Sequence, residues 1–193
     1  MLLRETALVR LFALRIPLLL FVGPRVVELD DEQCAVTIPL GWRTRNHLGS
    51  MYFAALCAGA DVAGGLHAFR AIRLGHRGVS IVFKDLRAEF LKRADGDVEF
   101  RSRDGRRVAE AVRTADEGGE RVTIPVEVVA TVPKRYGEEP VARFQLGLSL
   151  KRKDAARPAA IQDQDPVALQ DGEQLRRGRA GVAQDADVPG PHR

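Results

Sequence analysis

The segment Thr44–Gly65, TRNHLGSMYFAALCAGADVAGG, holds the residue types that can do chemistry. It begins with Asn46, His47, Gly49 and Ser50, turns apolar, and carries one carboxylate, Asp61, among alanines and glycines. A carboxylate on an apolar helix must be paired or must hold its proton tightly, because burial penalises the charged form. A raised pKa suits a general base. At about 100° per residue, Asp61 returns to nearly the helix face of Ser50. Ala54 shares that face, with Ala58 and Gly65 at its edges. Such a stripe of small residues suits a pocket wall or close packing. The alternative is an Asp61 bonded to a partner subunit, or to an arginine such as Arg70 or Arg73.

The other candidates divide by what their groups can do. The Asn46 amide can orient a water or a carbonyl, but it is no general base near neutral pH. His47 can aid proton transfer or bind a carbonyl, or it can cap and pack. Gly49 and Ser50 stand where a helix is expected to begin. Free N–H groups and the positive end of the helix dipole gather there, and a glycine lets a ligand approach the backbone. The alternative is a glycine needed only for the turn. His67 and His76 follow no metal-ligand spacing. Asp85 and Glu89 are placed on one strand face, where alternation with Lys84, Arg87 and Lys92 fits a solvated or interface surface. Lys92-Arg93 and Lys134-Arg135 can receive phosphates, or can simply be charged hairpin ends.

The elements that must position these residues follow from the pattern. Arg25–Leu40 reads as two β-rich pieces around the turn Asp30-Asp31-Glu32. Met51, Ala55, Val62, Leu66 and Phe69 recur at helical spacing, with Tyr52, Leu56, Gly59 and Ala63 beside them. That helix is apolar on most sides and must be buried on most sides. Val79–Ala94 reads as a long strand with Ile81, Phe83 and Asp85 on one face and Val82, Lys84 and Leu86 on the other. Asp95-Gly96 signals a two-residue hairpin to a strand over Asp97–Ser102. Asp104 can cap a short helix that stops at Gly118-Gly119. Arg121–Val132 is a strand that Pro125 places at an edge or bulge, and Ala142–Lys151 is the last strand. A curved, mostly antiparallel sheet around one central helix satisfies this order. This α+β arrangement is the hotdog fold.

Composition bounds the rest. The chain has 193 residues, 45% hydrophobic and 29% charged, which is ordinary for a globular protein. The net charge of +4 is spread along the chain and aromatics are only 6%, so a concentrated nucleic-acid surface is not expected. Cys34 and Cys57 fit no metal spacing and suggest a reducing, cytoplasmic setting. The run Ile16–Val22 is too short to span a bilayer. Arg4, Arg10 and Arg15 with Leu8, Leu11, Phe12 and Leu14 read as an amphipathic helix ending near Pro17. It is expected to dock on the core or on a partner, ahead of peripheral membrane contact. The expected organisation is an N-terminal helix over residues 1–24, a hotdog domain over 25–152, and a disordered tail over 153–193.

Three stretches carry a family resemblance: WRTRNHLGSMYFAALCAGADVAGG, VFKDLRAEFLKRADGDVEF and PVARFQLGLSLK. They resemble a branch of the hotdog superfamily known as the domain-of-unknown-function family DUF4442. That branch is similar to acyl-CoA thioesterases of the phenylacetate-pathway type, and the likeness runs from Ile16 to Lys151. It implies hydrolysis of a fatty or aryl acyl thioester at a dimer interface. A backbone N–H at the start of the central helix would polarise the carbonyl, and a carboxylate would activate water or attack directly. On that reading Gly49 with Ser50 supplies the oxyanion donor, Asn46 and His47 position the carbonyl or water, and Asp61 is the base. Ser50, Met51, Tyr52 and Phe53 would contact the substrate, the last three at the acyl tunnel or its edge. In one hotdog branch the place of Asn46 holds the catalytic acid. In the phenylacetate-type branch the acid lies about two turns into the helix, and counting seven from Gly49 reaches Leu56, so neither position is filled. The implied partners are a small acyl thioester and a second copy, as a homodimer or a dimer of dimers. No metal or redox cofactor is implied, and CoA enters only as part of the substrate. Rival readings are a non-catalytic acyl-CoA or lipid-binding protein, a hydratase, which would need a clearer His and acid pair, and a purely structural partner.

Overall fold

The computed structural model describes Thr6, residues 16–76 and residues 78–153. The amphipathic stretch expected before Pro17, and with it the membrane-contact reading, lies outside the described residues apart from Thr6, as does the tail after Lys153. The elements are α1 (Pro17–Val22), β1 (Arg25–Leu29), β2 (Cys34–Ile38), α2 (Phe53–Leu74) and β3 (Val79–Phe90). They continue with β4 (Val98–Ser102), α3 (Gly105–Gly118), β5 (Val122–Thr131), α4 (Pro133–Tyr136) and β6 (Pro140–Arg152). Pro17 starts α1. Its fixed φ suits the first helical position, where no N–H is needed. The short helix sinks Leu19 and Val22 into the core.

The strands form one antiparallel sheet in the order β1-β2-β4-β5-β6-β3. The turn between β1 and β2 is closed by the Asp30 carboxylate, which accepts the N–H of Glu32 (2.7 Å) and of Gln33 (2.8 Å). Helix α2 touches β2, β3, β4, β5 and β6, so the sheet wraps it as expected. Phe100, Val128, Ala130 and Leu146 of the sheet meet Leu56, Ala60 and Ala63 of α2 in one core cluster. A second cluster joins Val108, Val112 and Ala115 of α3 to Ala68 of α2 and to Val126, Leu148 and Leu150. Leu146, Leu148 and Leu150 alternate along β6, so both helices lie on the same face of the sheet.

Three local expectations change. Asp95-Gly96 does not close a hairpin, because β3 pairs with β6 whereas β4 sits between β2 and β5. The chain instead crosses the sheet there, with Asp95 held by Arg135 at 2.9 Å. In β3, the register with β6 shifts between Phe83 and Leu86. An extra residue in one strand reverses the alternation beyond it. Leu86, Ala88 and Phe90 therefore share the helix-facing side with Ile81 and Phe83, while Asp85 and Glu89 face outward. Asp104 precedes α3 but gives it no side-chain cap; its carboxylate accepts the N–H of Glu127 (2.7 Å) and pairs with Arg107 (3.0 Å). Pro125 lies where β5 has outrun β4, whose pairing covers only Val129–Thr131, so no ladder bond is lost there.

Contact between α2 and the sheet is closest at Gly59, where an added Cβ would lie 2.3 Å from the Phe100 ring. Alanine is the better helix former by about 1 kcal/mol, but overpacking a core costs about 1–3 kcal/mol. Gly59→Ala is expected to lower the urea midpoint at unchanged m-value. An unchanged or raised midpoint would show that the ring gives way freely.

Candidate active site

The loop that leads into α2 is built on Asn46. Its side-chain oxygen accepts the N–H of Leu48 (2.9 Å) and of Ser50 (3.2 Å), and its amide nitrogen donates to the Ser50 hydroxyl (3.1 Å). Its own N–H donates to the Ser50 carbonyl (2.7 Å). Gly49 sits inside this turn at φ +79, which favours glycine, and its N–H donates to the Asn46 carbonyl (3.1 Å). Arg93 braces the loop from outside by donating to the Leu48 carbonyl (2.7 Å). His47 is exposed on the loop, and Ser50 is buried.

The helix starts later than the sequence suggests. Met51 donates its N–H to Ala94 (2.8 Å) and Tyr52 donates to Thr44 (2.7 Å), so both are held in the loop. α2 begins at Phe53, with no side-chain cap and no acid in its first turn. The N–H groups of Gly49 and Ser50 are already engaged within the loop. Among the described residues no acceptor meets the N–H of Phe53 or Ala54, so the open donors lie one turn beyond the expected place. Met51 is buried in the core, while Tyr52 and Phe53 are exposed and pack edge to face at 4.9 Å.

One side of α2 is left partly uncovered by the chain. Along its first three turns and beyond, Ala54, Cys57, Asp61 and Gly65 are half-buried while the positions between them are buried. This stripe runs from the open N–H groups to an apolar cavity of about 220 Å³. Ile16, Leu19, Val62, Gly65, Leu66, Phe69, Ile81, Val82 and Phe83 line the cavity, and Asp61 is the one polar side chain among its described walls. Burial raises the Asp61 carboxyl above the usual aspartate range, and among the described residues no hydrogen bond or ion pair offsets it. The arginines that might have paired with it are engaged elsewhere. Arg70 pairs with Asp31 (2.9 Å) and donates to the Asp30 carbonyl (2.7 Å), and Arg73 lies over the Phe69 ring. Burial also raises the Cys57 thiol, which keeps it protonated and a poor nucleophile near neutral pH.

Asp61 lies eight residues after Phe53, slightly more than two turns into the helix as observed. The remaining candidates lie apart from this stripe. Asp85 and Glu89 face away from α2. Lys92 pairs with Glu139 (2.5 Å), and Arg93 and Arg135 are committed within the chain. No cluster of His, Cys, Asp and Glu able to hold a metal ion occurs among the described residues. The walls given by Ile16, Leu19 and Phe83 carried no sequence signal, because they reach Asp61 only through tertiary packing.

The comparisons with known proteins agree with this architecture. The family described as a domain of unknown function, DUF4442, matches residues 4–147. The chain belongs to this family. Among solved structures, a Pseudomonas aeruginosa protein named a probable thioesterase aligns at 24% identity over 75% of this chain and 93% of its own, with a TM-score of 0.60. A candidate thioesterase from Shewanella oneidensis aligns at 17% identity over 77% of this chain and 98% of its own, TM-score 0.64. A Haemophilus influenzae thioesterase aligns at 14% identity over 72% and 86%, TM-score 0.54. No curated protein matches. This DUF4442 chain therefore has the thioesterase-like hotdog fold, and at these identities the likeness establishes the fold alone.

Two outcomes test the site's geometry. Asn46→Ala strands the loop N–H groups and is expected to cost about 1–2 kcal/mol, whereas Asn46→Asp, which keeps the acceptor oxygens, is expected to cost less; equal losses in chemical denaturation would contradict this. For Asp61 the folded chain holds the proton more tightly than the unfolded chain. Its stabilising share is full below the unfolded pKa of about 3.9 and is lost as pH rises through the raised value. Asp61→Asn is thus expected to be at least as stable as wild type at pH 7, with the advantage shrinking toward pH 4. A variant less stable than wild type at pH 7 would reveal a partner for the carboxylate.

Proposed function

We propose that this protein hydrolyses an acyl-CoA thioester on the uncovered stripe of α2, with Asp61 as general base. The observation that carries the reading is a half-buried carboxylate with no partner among the described residues, lining an apolar cavity below open helix N–H groups. Eight residues of helix rise span about 12 Å, and the Asp61 side chain leans back toward the N-terminus, which shortens the gap to about 9 Å. A carbonyl one hydrogen bond from an amide and a water one hydrogen bond from a carboxylate together fill roughly 10 Å. The stripe between them is Ala54 and Cys57, small enough to let a thioester lie along the helix.

The steps follow from that placement. The N–H groups of Phe53 and Ala54, backed by the helix dipole, hold the carbonyl oxygen and stabilise the negative charge that develops on it. Asp61 takes a proton from water as the water oxygen bonds the carbonyl carbon. The C–S bond then breaks, CoA leaves as its thiolate and takes up a proton, and the free acid remains. A carboxylate of raised pKa is a stronger base for this than an ordinary one. Asn46 and Gly49 serve by fixing the loop before the donors, rather than by touching the substrate. This route asks for no metal or redox cofactor.

A second copy would complete the site. β3 is a twelve-residue edge strand, and Leu86 and Phe90 on its helix-facing side are about half exposed. Pairing two such edges would satisfy their backbone groups and cover these side chains, giving the homodimer, or a dimer of dimers, expected from the sequence. No helix among the described residues is long and apolar enough to cross a membrane. Burial pushes the Cys34 thiol up to about 12, which keeps it protonated and unreactive; the cytoplasmic setting we propose rests on the scarcity of cysteines.

The test is CoA release from a panel of acyl-CoAs. Wild type is expected to turn over, and Asp61→Asn to lose about 10²–10⁴-fold in kcat while still binding substrate. Full activity in Asp61→Asn would remove it as the base. Tight binding of acyl-CoA with no CoA released by wild type would favour a non-catalytic binding protein.

A further inference from the structure

The cavity beside Asp61 also bounds the acyl group. Resting on the hydrolase reading, we propose that the protein is selective for compact acyl groups, either one aryl ring on a short spacer or a straight chain of about eight carbons, and that Gly65 and Ile16 set the limit. The cavity measures about 220 Å³. An apolar cavity of about 150 Å³ accepts benzene, so this one holds roughly half as many carbons again. Its described walls are apolar apart from Asp61, so the acyl carbonyl belongs at the Asp61 end and the hydrocarbon beyond it.

Two positions decide how much fits. Gly65 leaves the room that a side chain would take. A Cβ there would stand 3.4 Å and 3.5 Å from the Phe83 ring and 3.9 Å from Ile81. These are ordinary contact distances, so alanine fits the fold and occupies the cavity. The neighbouring helical glycines have other reasons: Gly59 yields to Phe100, and Gly64 faces Leu146, Val128 and Val126. At Gly65 an open wall is what the missing side chain provides. Ile16 precedes α1 and forms part of the opposite wall while remaining 39% exposed, so it can be shortened with little loss of core. A single methyl in an apolar acyl pocket changes discrimination by about 10–200-fold.

The experiment measures kcat/KM for butanoyl-, octanoyl-, phenylacetyl- and palmitoyl-CoA with wild type, Gly65→Ala and Ile16→Ala. Binding of free octanoate and hexadecanoate, which carry no thioester, is followed in parallel by thermal shift. Expected are at least a tenfold preference of wild type for octanoyl- or phenylacetyl-CoA over palmitoyl-CoA, and about a tenfold fall in the octanoyl-to-butanoyl ratio in Gly65→Ala. Ile16→Ala should move the preference toward longer chains. The octanoyl and phenylacetyl arms separate a straight chain from an aryl group. A flat length profile, or ratios unchanged in Gly65→Ala, would overturn this inference while hydrolysis itself stood. If no thioester is cleaved but octanoate still protects wild type and not Gly65→Ala, the hydrolase reading falls and the compact apolar site remains.

Discussion

Helix α2 has to be buried on almost every side, and it achieves this only by lying very close to the sheet. The approach at Gly59 and Phe100 sets the depth at which the helix sits. Once it is seated there, β2, β3, β4, β5 and β6 all reach it. α3 closes the far end of the same face, and α1 packs Leu19 and Val22 into the near cluster. Between Ala54 and Ala68, what remains partly uncovered is a stripe of Ala54, Cys57, Asp61 and Gly65. The functional face is thus the remainder of a packing problem, and its position follows from which side of the helix the sheet does not cover.

That remainder has an electrostatic pattern. The N-terminus of α2 offers N–H groups with neither a capping side chain nor a nearby carboxylate to neutralise them. Two turns below stands a carboxylate that no cation among the described residues stabilises. Each feature alone costs stability. Together they frame a gap suited to a polarised carbonyl and an attacking water, with an apolar cavity to take the hydrocarbon beyond.

Much of the fold was legible because α2 announces itself. A long segment that is apolar all round, with Gly59 and Gly64 in its middle, has few partners other than a sheet curling about it. The turn at Asp30 and the stop at Gly119 were also readable, since each rests on local backbone chemistry. The errors came where pairing is non-local. Asp95-Gly96 has the local form of a hairpin, but β3 finds its partner in β6, far along the chain. The bulge after Phe83 leaves no mark in composition and moves Asp85 to the outer face. At the site, the type of residue was visible and its register was not. Gly49 looked like a helix start because nothing local shows that Met51 and Tyr52 commit their N–H groups to Ala94 and Thr44. Likewise, Arg70 could be identified as a possible partner for Asp61, but its commitment to Asp31 appears only in three dimensions.

The role of Asp61 as base requires a carboxylate without a partner that holds its proton more tightly than an ordinary aspartate. Carbon-13 NMR titration of the side-chain carboxyl, assigned through Asp61→Asn, measures this directly. A midpoint above the ordinary value of about 3.9 is the expected result. A midpoint at or below that value would mean that a cation or hydrogen-bond donor reaches the group, and the assignment of Asp61 as base would fail.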